Sequence, residues 1–127
     1  MQQAVRLRWL RIALIVVGAI ALFAFYPLTI FWPAGFVWHH GGQSHYLQMI
    51  IGIYAVLGVF LILAARNPVE HLSLIWFAVW SSVVHGAIMA VQALMDPAQR
   101  AHLYGDVPLL FVAAIVIAWL TPKRVAT

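Results

Sequence analysis

The sequence has no cysteine and almost no acid: three Asp and Glu residues stand against seven Lys and Arg in 127 residues. Without cysteine there is no disulfide, no thiolate metal site and no dithiol redox chemistry. Charge of either sign is scarce. Charged residues make up 8% of the chain and hydrophobic ones 65%, whereas soluble globular domains carry roughly 25% charge. With a mean hydropathy of +0.99, the composition excludes an ordinary soluble domain and describes one compact membrane unit. The sequence pI near 10.1 does not point to nucleic acid, because the basic residues flank apolar runs instead of forming a patch.

What is present is a set of four apolar runs. The first covers residues 12–31 and ends at Trp32-Pro33, an interfacial aromatic followed by a residue that cannot continue a helix. Its length suits a retained membrane span better than the shorter core of a cleaved signal peptide, and Pro27 inside it predicts a kink. The second run covers 46–65 and is closed by Arg66. Asn67-Pro68-Val69-Glu70 then reads as a helix start, with Asn67 as cap, Pro68 in the first helical position and Glu70 three residues after the cap. The third run covers 72–94. Asp96-Pro97 repeats the cap-then-proline signal and predicts a short interfacial helix from Pro97 to His102. The fourth run covers 107–120, with Asp106 as expected cap and Pro108 in the first turn. The fold class expected is therefore all-α, a bundle of four transmembrane helices.

Arg6, Arg8, Arg11, Arg66, Lys123 and Arg124 fall at one predicted membrane face, and Arg100 alone falls at the other. The positive-inside rule then places both termini in the cytoplasm, as in a multi-pass protein of the bacterial inner membrane. The connections from Phe36 to His45 and from Asp96 to Asp106 would lie outside, and they hold His39, His40, His45 and His102.

Polar residues inside the runs mark where function is expected, because unpaired polarity in hydrocarbon is costly. On a helical wheel of the third run, His71, Ala78, Ser81, Ser82, His85, Met89 and Gln92 fall within about 60 degrees of His85, with Trp76 and Trp80 opposite. This places a polar stripe toward the bundle and an aromatic face toward lipid. Gln48, Gly52 and Ala55 form a weaker stripe on the second run, and Gly18, Ala21 and Ala24 offer small packing residues on the first. At 1.5 Å per residue, His85 lies about 21 Å from His71, and Asp106 reaches a similar depth from the far end of the short fourth run. A pocket lined by His85, Asp106, Gln92, Met89, Gln48, Ser81 and Ser82 is the expected site. The competing expectation is structural: Asp106 caps its helix, and His85 and the serines bond their own surroundings.

Four chemistries fit these residues unequally. A pocket with apolar walls and a few convergent polar groups suits a small amphiphile or a quinone-like ligand. An accessory subunit of a larger membrane complex, or a homo-oligomer, would use the lipid-facing Trp and Phe surfaces. A metal site on the outer face would draw on His39, His40, His45, His102, Asp96 and Asp106, all nitrogen or oxygen ligands suited to zinc or copper(II), although the spacing matches no metal signature. Haem would need His71 and His85, near opposite faces, to be matched by an equivalent pair that no other run carries and that only a second copy in a homo-oligomer could supply. No cofactor is required by the sequence. No set of nucleophile, base and orienting group is visible, so an enzyme is not indicated, and neither inverted repeats nor broken helices indicate a transporter.

Three stretches carry a resemblance: Tyr26-Pro27-Leu28-Thr29, the segment from Ile51-Gly52-Ile53-Tyr54 through Ala64-Ala65-Arg66-Asn67-Pro68, and Trp80-Ser81-Ser82-Val83-Val84-His85-Gly86. Over nearly its whole length the chain resembles an uncharacterised family of small bacterial four-helix membrane proteins, and more loosely it is similar to the DoxX-like proteins. The nearer resemblance implies a four-helix inner-membrane fold with no established activity. The looser one implies the same fold, with some members acting beside redox or respiratory enzymes.

Overall fold

Helix formation in this chain begins well before the first apolar run does. The computed structural model describes residues 1–33 and 44–123, and its first helix, α1, runs Gln3–Ala19. The continuous helical stretch Gln3–Phe31 has 29 residues, about 43 Å at 1.5 Å per residue, against a hydrocarbon core of about 30 Å. Arg6, Arg8 and Arg11 stand on this helix and not in a preceding loop.

Pro27 does not break this helix. A proline lacks the N–H and its ring presses on the carbonyl four residues back, here that of Phe23. The chain widens into a π-helical turn, Ile20–Ala24, immediately before the ring, and continues as α2, Phe25–Phe31. Wide turns of this type are one of the ordinary ways a helix accommodates such a defect.

Helix α3, His45–Ala64, starts at Ser44, whose Oγ accepts from the Leu47 N–H at 3.4 Å. Its end leads through Arg66 and Asn67 into a 3₁₀ turn, Pro68–His71. The sequence leads one to expect a side-chain cap from Asn67. The structure instead uses the Asn67 backbone carbonyl, which accepts from the Glu70 N–H at 3.2 Å. Helix α4 follows, Leu72–Met95. Asp96 caps the next segment, a 3₁₀ helix Pro97–Leu103, by accepting from the Ala98 N–H at 2.9 Å. Helix α5, Asp106–Leu120, has Gly105 and not Asp106 at its N-cap. The Asp106 carboxylate is engaged elsewhere, as described below.

All four stretches are long and apolar enough to cross a membrane. Their packing is uneven. α4 packs most extensively on α5, α1 with its π-turn packs on α3, and α1 also meets α5, whereas α3 and α4, although joined by a short connection, touch little. The core lies toward the arginine end, where Leu10, Leu14, Leu61, Ile75, Ala78 and Ile117 pack together. There the guanidinium of Arg6 donates to the carbonyl of Trp119, with Nε at 3.1 Å, occupying an acceptor at the C-terminal end of α5. Trp76, expected on the lipid face, packs partly buried against this core, while Trp80 is 61% exposed as expected.

Helices α1 and α3 approach closely at Gly18 and Gly58. A Cβ on Gly58 would lie 2.5 Å from the Gly18 carbonyl oxygen, and one on Gly18 would lie 2.7 Å from that of Gly58. Gly52, the glycine expected to pack, has nothing within 4 Å of its missing Cβ. Small residues let membrane helices approach closely only where a partner helix is present, and α3 meets α1 on the face that holds Gly58.

Candidate functional site

The end of the bundle opposite the arginines is less filled. A cavity of about 110 Å³ lies among α2, α3, α4, α5 and the 3₁₀ helix Pro97–Leu103. Its walls are mostly apolar, with Phe25 from α2, Leu47, Ile50 and Ile51 from α3, and Leu109 and Leu110 from α5. Its polar groups are Thr29, Tyr54, His85, His102 and Asp106, and Met89 completes the α4 side. Ile50 is also 41% exposed on the outer surface. With Tyr54 of α3 and His85 of α4 both in its lining, the cavity borders the lightly packed seam between those helices.

Two polar pairs organise it. The first spans that seam: the Tyr54 hydroxyl of α3 is hydrogen-bonded to Nδ1 of His85 on α4. The Tyr54 ring is stacked with His85, centroids 5.9 Å apart, and meets Phe25 edge-on at 5.1 Å. One tyrosine thus links α2, α3 and α4. The second pair ties the 3₁₀ helix to α5. His102 Nδ1 lies 2.8 and 3.0 Å from the two Asp106 carboxylate oxygens, and its Nε2 is 3.1 Å from Gln99 Oε1. Both partners are buried, at 8% and 9% exposure. Thr29 is 1% exposed and satisfies its own hydroxyl by donating to the Tyr26 carbonyl at 2.7 Å.

Of the residues expected to form the site, the structure brings His85, Met89 and Asp106 to this cavity. His85 and Asp106 share it, as their depths predict, but each takes a different partner: Tyr54 for one, His102 for the other. Gln48 and Gln92 lie on the exposed surface and outside the cavity lining. Ser81 donates to the Ala78 carbonyl at 3.2 Å, bonding its own helix. Ser82 lines a second, deeper cavity of about 50 Å³ enclosed mostly by Val17, Ala21, Leu57 and α5 residues.

Tyr54 is the partner that the polar-stripe reading does not find. Depth alone carries a signal for it: Tyr54 lies about 14 Å along α3 from His45, and His85 about 15 Å along α4 from Met95, at 1.5 Å per residue. His102 and Asp106 are four apart, a spacing that pairs side chains on one helix, but here they belong to two elements joined at Tyr104 and Gly105.

The residues weighed for a metal are dispersed. His45 is exposed at the start of α3, Asp96 is a cap, and His102 is paired with Asp106. Among the described residues no three His, Asp or Glu side chains come together as a ligand set; His39 and His40 lie outside the described residues. His71 is exposed at the start of α4, at the end of that helix remote from the cavity.

A four-helix bundle of this length and apolarity, with its polar pairs at one end, defines a small multi-pass helical membrane protein. The chain belongs to a family of unknown function, DUF6632, whose model matches residues 4–126. No curated protein and no solved structure matches it.

Proposed function

We propose that this protein binds a small amphiphile, its polar end held in the cavity between the Tyr54–His85 and His102–Asp106 pairs and its apolar part leaving through the seam between α3 and α4. The observation that carries this reading is the cavity of about 110 Å³ with apolar walls and convergent polar groups, the composition that small-molecule sites share. Well-filled membrane bundles close such spaces. Intramembrane histidine and aspartate are also costly, and function is the usual reason for keeping them.

Native mass spectrometry of the intact protein, released from mild detergent, tests this. A bound mass of lipid-like size is expected on the wild type and is expected to be lost in Ile51→Trp, which fills the cavity from its wall. A bare wild-type chain, or the same bound mass on the filled variant, would sink the proposal.

A second reading has an observation of its own. Trp80 and Trp119 are 61% and 65% exposed, and Phe23 is 70% exposed, an aromatic exterior that serves a larger membrane assembly or a homo-oligomer as well as it serves lipid. The DoxX-like resemblance inclines the same way. The same spectra distinguish it: partner subunits or multiples of the chain mass would appear, and they would persist in Ile51→Trp.

The orientation belongs to this proposal too. Supported by the basic residues at one end, it puts both termini in the cytoplasm and the cavity near the outer face of a bacterial inner membrane. With no cysteine in the chain, a single introduced one is unambiguous. An impermeant thiol reagent added to intact cells is expected to label Tyr104→Cys and to leave Glu70→Cys unlabelled; the reverse pattern would invert the topology.

A further inference from the structure

On the reading that the cavity holds an amphiphile, we infer that the buried end of the ligand is an uncharged hydrogen-bond acceptor on a group the size of a single ring. The charges that the cavity lacks restrict the ligand. No Lys or Arg lines it. Among the described residues Arg6, Arg8, Arg11, Arg66 and Lys123 belong to the opposite end, and Arg100 is exposed. A carboxylate or phosphate head would therefore meet no free cation, since His102 already has Asp106 on one ring nitrogen and Gln99 on the other. A cationic head fares no better, because both Asp106 oxygens face the same His102 nitrogen. Burying an unpaired charge in such a place is prohibitive, whereas a neutral head needs only hydrogen bonds.

The Tyr54–His85 pair supplies one. A neutral histidine carries one N–H and a tyrosine one O–H, so the pair holds two protons and its mutual bond uses one. If the hydroxyl donates to Nδ1, the remaining proton is on Nε2; if Nδ1–H donates to the hydroxyl oxygen, the remaining proton is on the hydroxyl. In both arrangements one donor is left over, and a carbonyl or ether oxygen on the ligand is its natural partner. Size sets the rest. The space of about 110 Å³ is somewhat smaller than an apolar cavity of about 150 Å³ that holds benzene, so the head is one ring or a comparably small branched group.

The test uses the full chain in mild detergent and three probes with matched decyl tails: decylbenzoquinone, which is neutral and carries carbonyls, decanoate and decyltrimethylammonium. Saturable binding of the quinone, read by equilibrium dialysis, is expected to be at least tenfold tighter than that of either charged probe, the discrimination produced by about 1.4 kcal/mol. Tyr54→Phe and His85→Leu each leave one donor behind and are expected to weaken quinone binding only a few-fold. The double variant leaves none and is expected to lose roughly tenfold or more, as for a hydrogen bond with its partner left unsatisfied. If the double variant does not fold, judged by helical circular dichroism, Ile51→Trp serves instead and must abolish quinone binding while keeping both polar groups. Binding of decanoate or the ammonium probe as tight as that of the quinone, or quinone binding that survives in the double variant, overturns the neutral-head inference and leaves the amphiphile site standing. Quinone binding that survives in Ile51→Trp overturns both, because the ligand would then lie outside the cavity. Failure of all three probes, with a bare chain in native mass spectra, removes both.

Discussion

Replacing Asp106 with alanine is expected to lower the stability of the detergent-solubilised protein by about 3 kcal/mol, the lower end of the cost of breaking a buried ion pair from one side. His102 would remain 8% exposed with its Nδ1 facing a space where two carboxylate oxygens had been, and a buried donor without a partner is what makes such substitutions expensive. The first turn of α5 would also lose an acidic group favoured by the helix dipole, worth about 0.3–1 kcal/mol. Asp106→Asn keeps an acceptor near His102 and is expected to cost less. His102→Leu combined with Asp106→Leu removes both polar groups together and is expected to fall less than either single change, since apolar replacement of a whole buried pair is often neutral. A double-mutant cycle on thermal unfolding, followed by circular dichroism, reads these differences. The pair also tethers the 3₁₀ helix Pro97–Leu103 to α5, and Arg100 in that segment is exposed. Tryptic cleavage after Arg100 is therefore expected to accelerate in Asp106→Ala. If Asp106→Ala melts with the wild type and Arg100 stays as resistant as before, the pair is not the tether.

Gly58→Leu is expected to have an effect of comparable size. The Cβ alone would stand 2.5 Å from the Gly18 carbonyl oxygen and 3.0 Å from the Leu22 backbone nitrogen, so the obstruction is backbone and no rotamer change relieves it. α1 and α3 must separate along their length, and overpacking of this kind costs about 1–3 kcal/mol, occasionally more. A fall in the thermal midpoint on the order of 10 °C is the corresponding readout. Gly52→Ala is the control on the same helix. Its Cβ meets nothing within 4 Å, and trading glycine for alanine in a helix is expected to stabilise by about 0.5–1 kcal/mol. Equal destabilisation by both changes would mean that α3 does not meet α1 at Gly58.

The contrast between these glycines shows how far periodicity carries. Both lie in a run whose only patterned signal is the weak stripe of Gln48, Gly52 and Ala55, and that stripe does not mark the face that meets α1 at Gly58. In a soluble bundle the polar face would settle this, but a bilayer removes that signal because lipid and core are equally apolar. The third run was more legible because it carries polar side chains: the stripe centred on His85 correctly pairs it with Met89 toward the interior and puts Trp80 outside. Gln92 belongs to the same stripe but sits near the end of α4, where the helix surface is already exposed. Long polar side chains near helix ends reach water, so their wheel position says less about the interior.

Caps follow the same division. Asp96 behaves as its local sequence predicts, because the bond from the Ala98 N–H is made within three residues. Asp106 stands in an equally good local context and yet bonds His102. A neighbour brought up by the chain's own turn at Tyr104 and Gly105 adds a charge-assisted bond in a buried place, beside the backbone N–H groups of Asp106 and Val107 that also act on the carboxylate.

By itself the sequence determined that the chain has four apolar helices and which end is basic, and it drew attention to the polar residues His85 and Asp106 within them. These follow from local physics: apolar length against membrane thickness, proline and capping residues, and the cost of charge in hydrocarbon. The tertiary structure alone decided the partners. That α1 meets α3 at Gly18 and Gly58, that α3 and α4 stand apart despite their short connection, and that Tyr54 spans that seam to His85 all depend on how four apolar cylinders rotate about their axes. Packing sets that rotation, and no single helix records it.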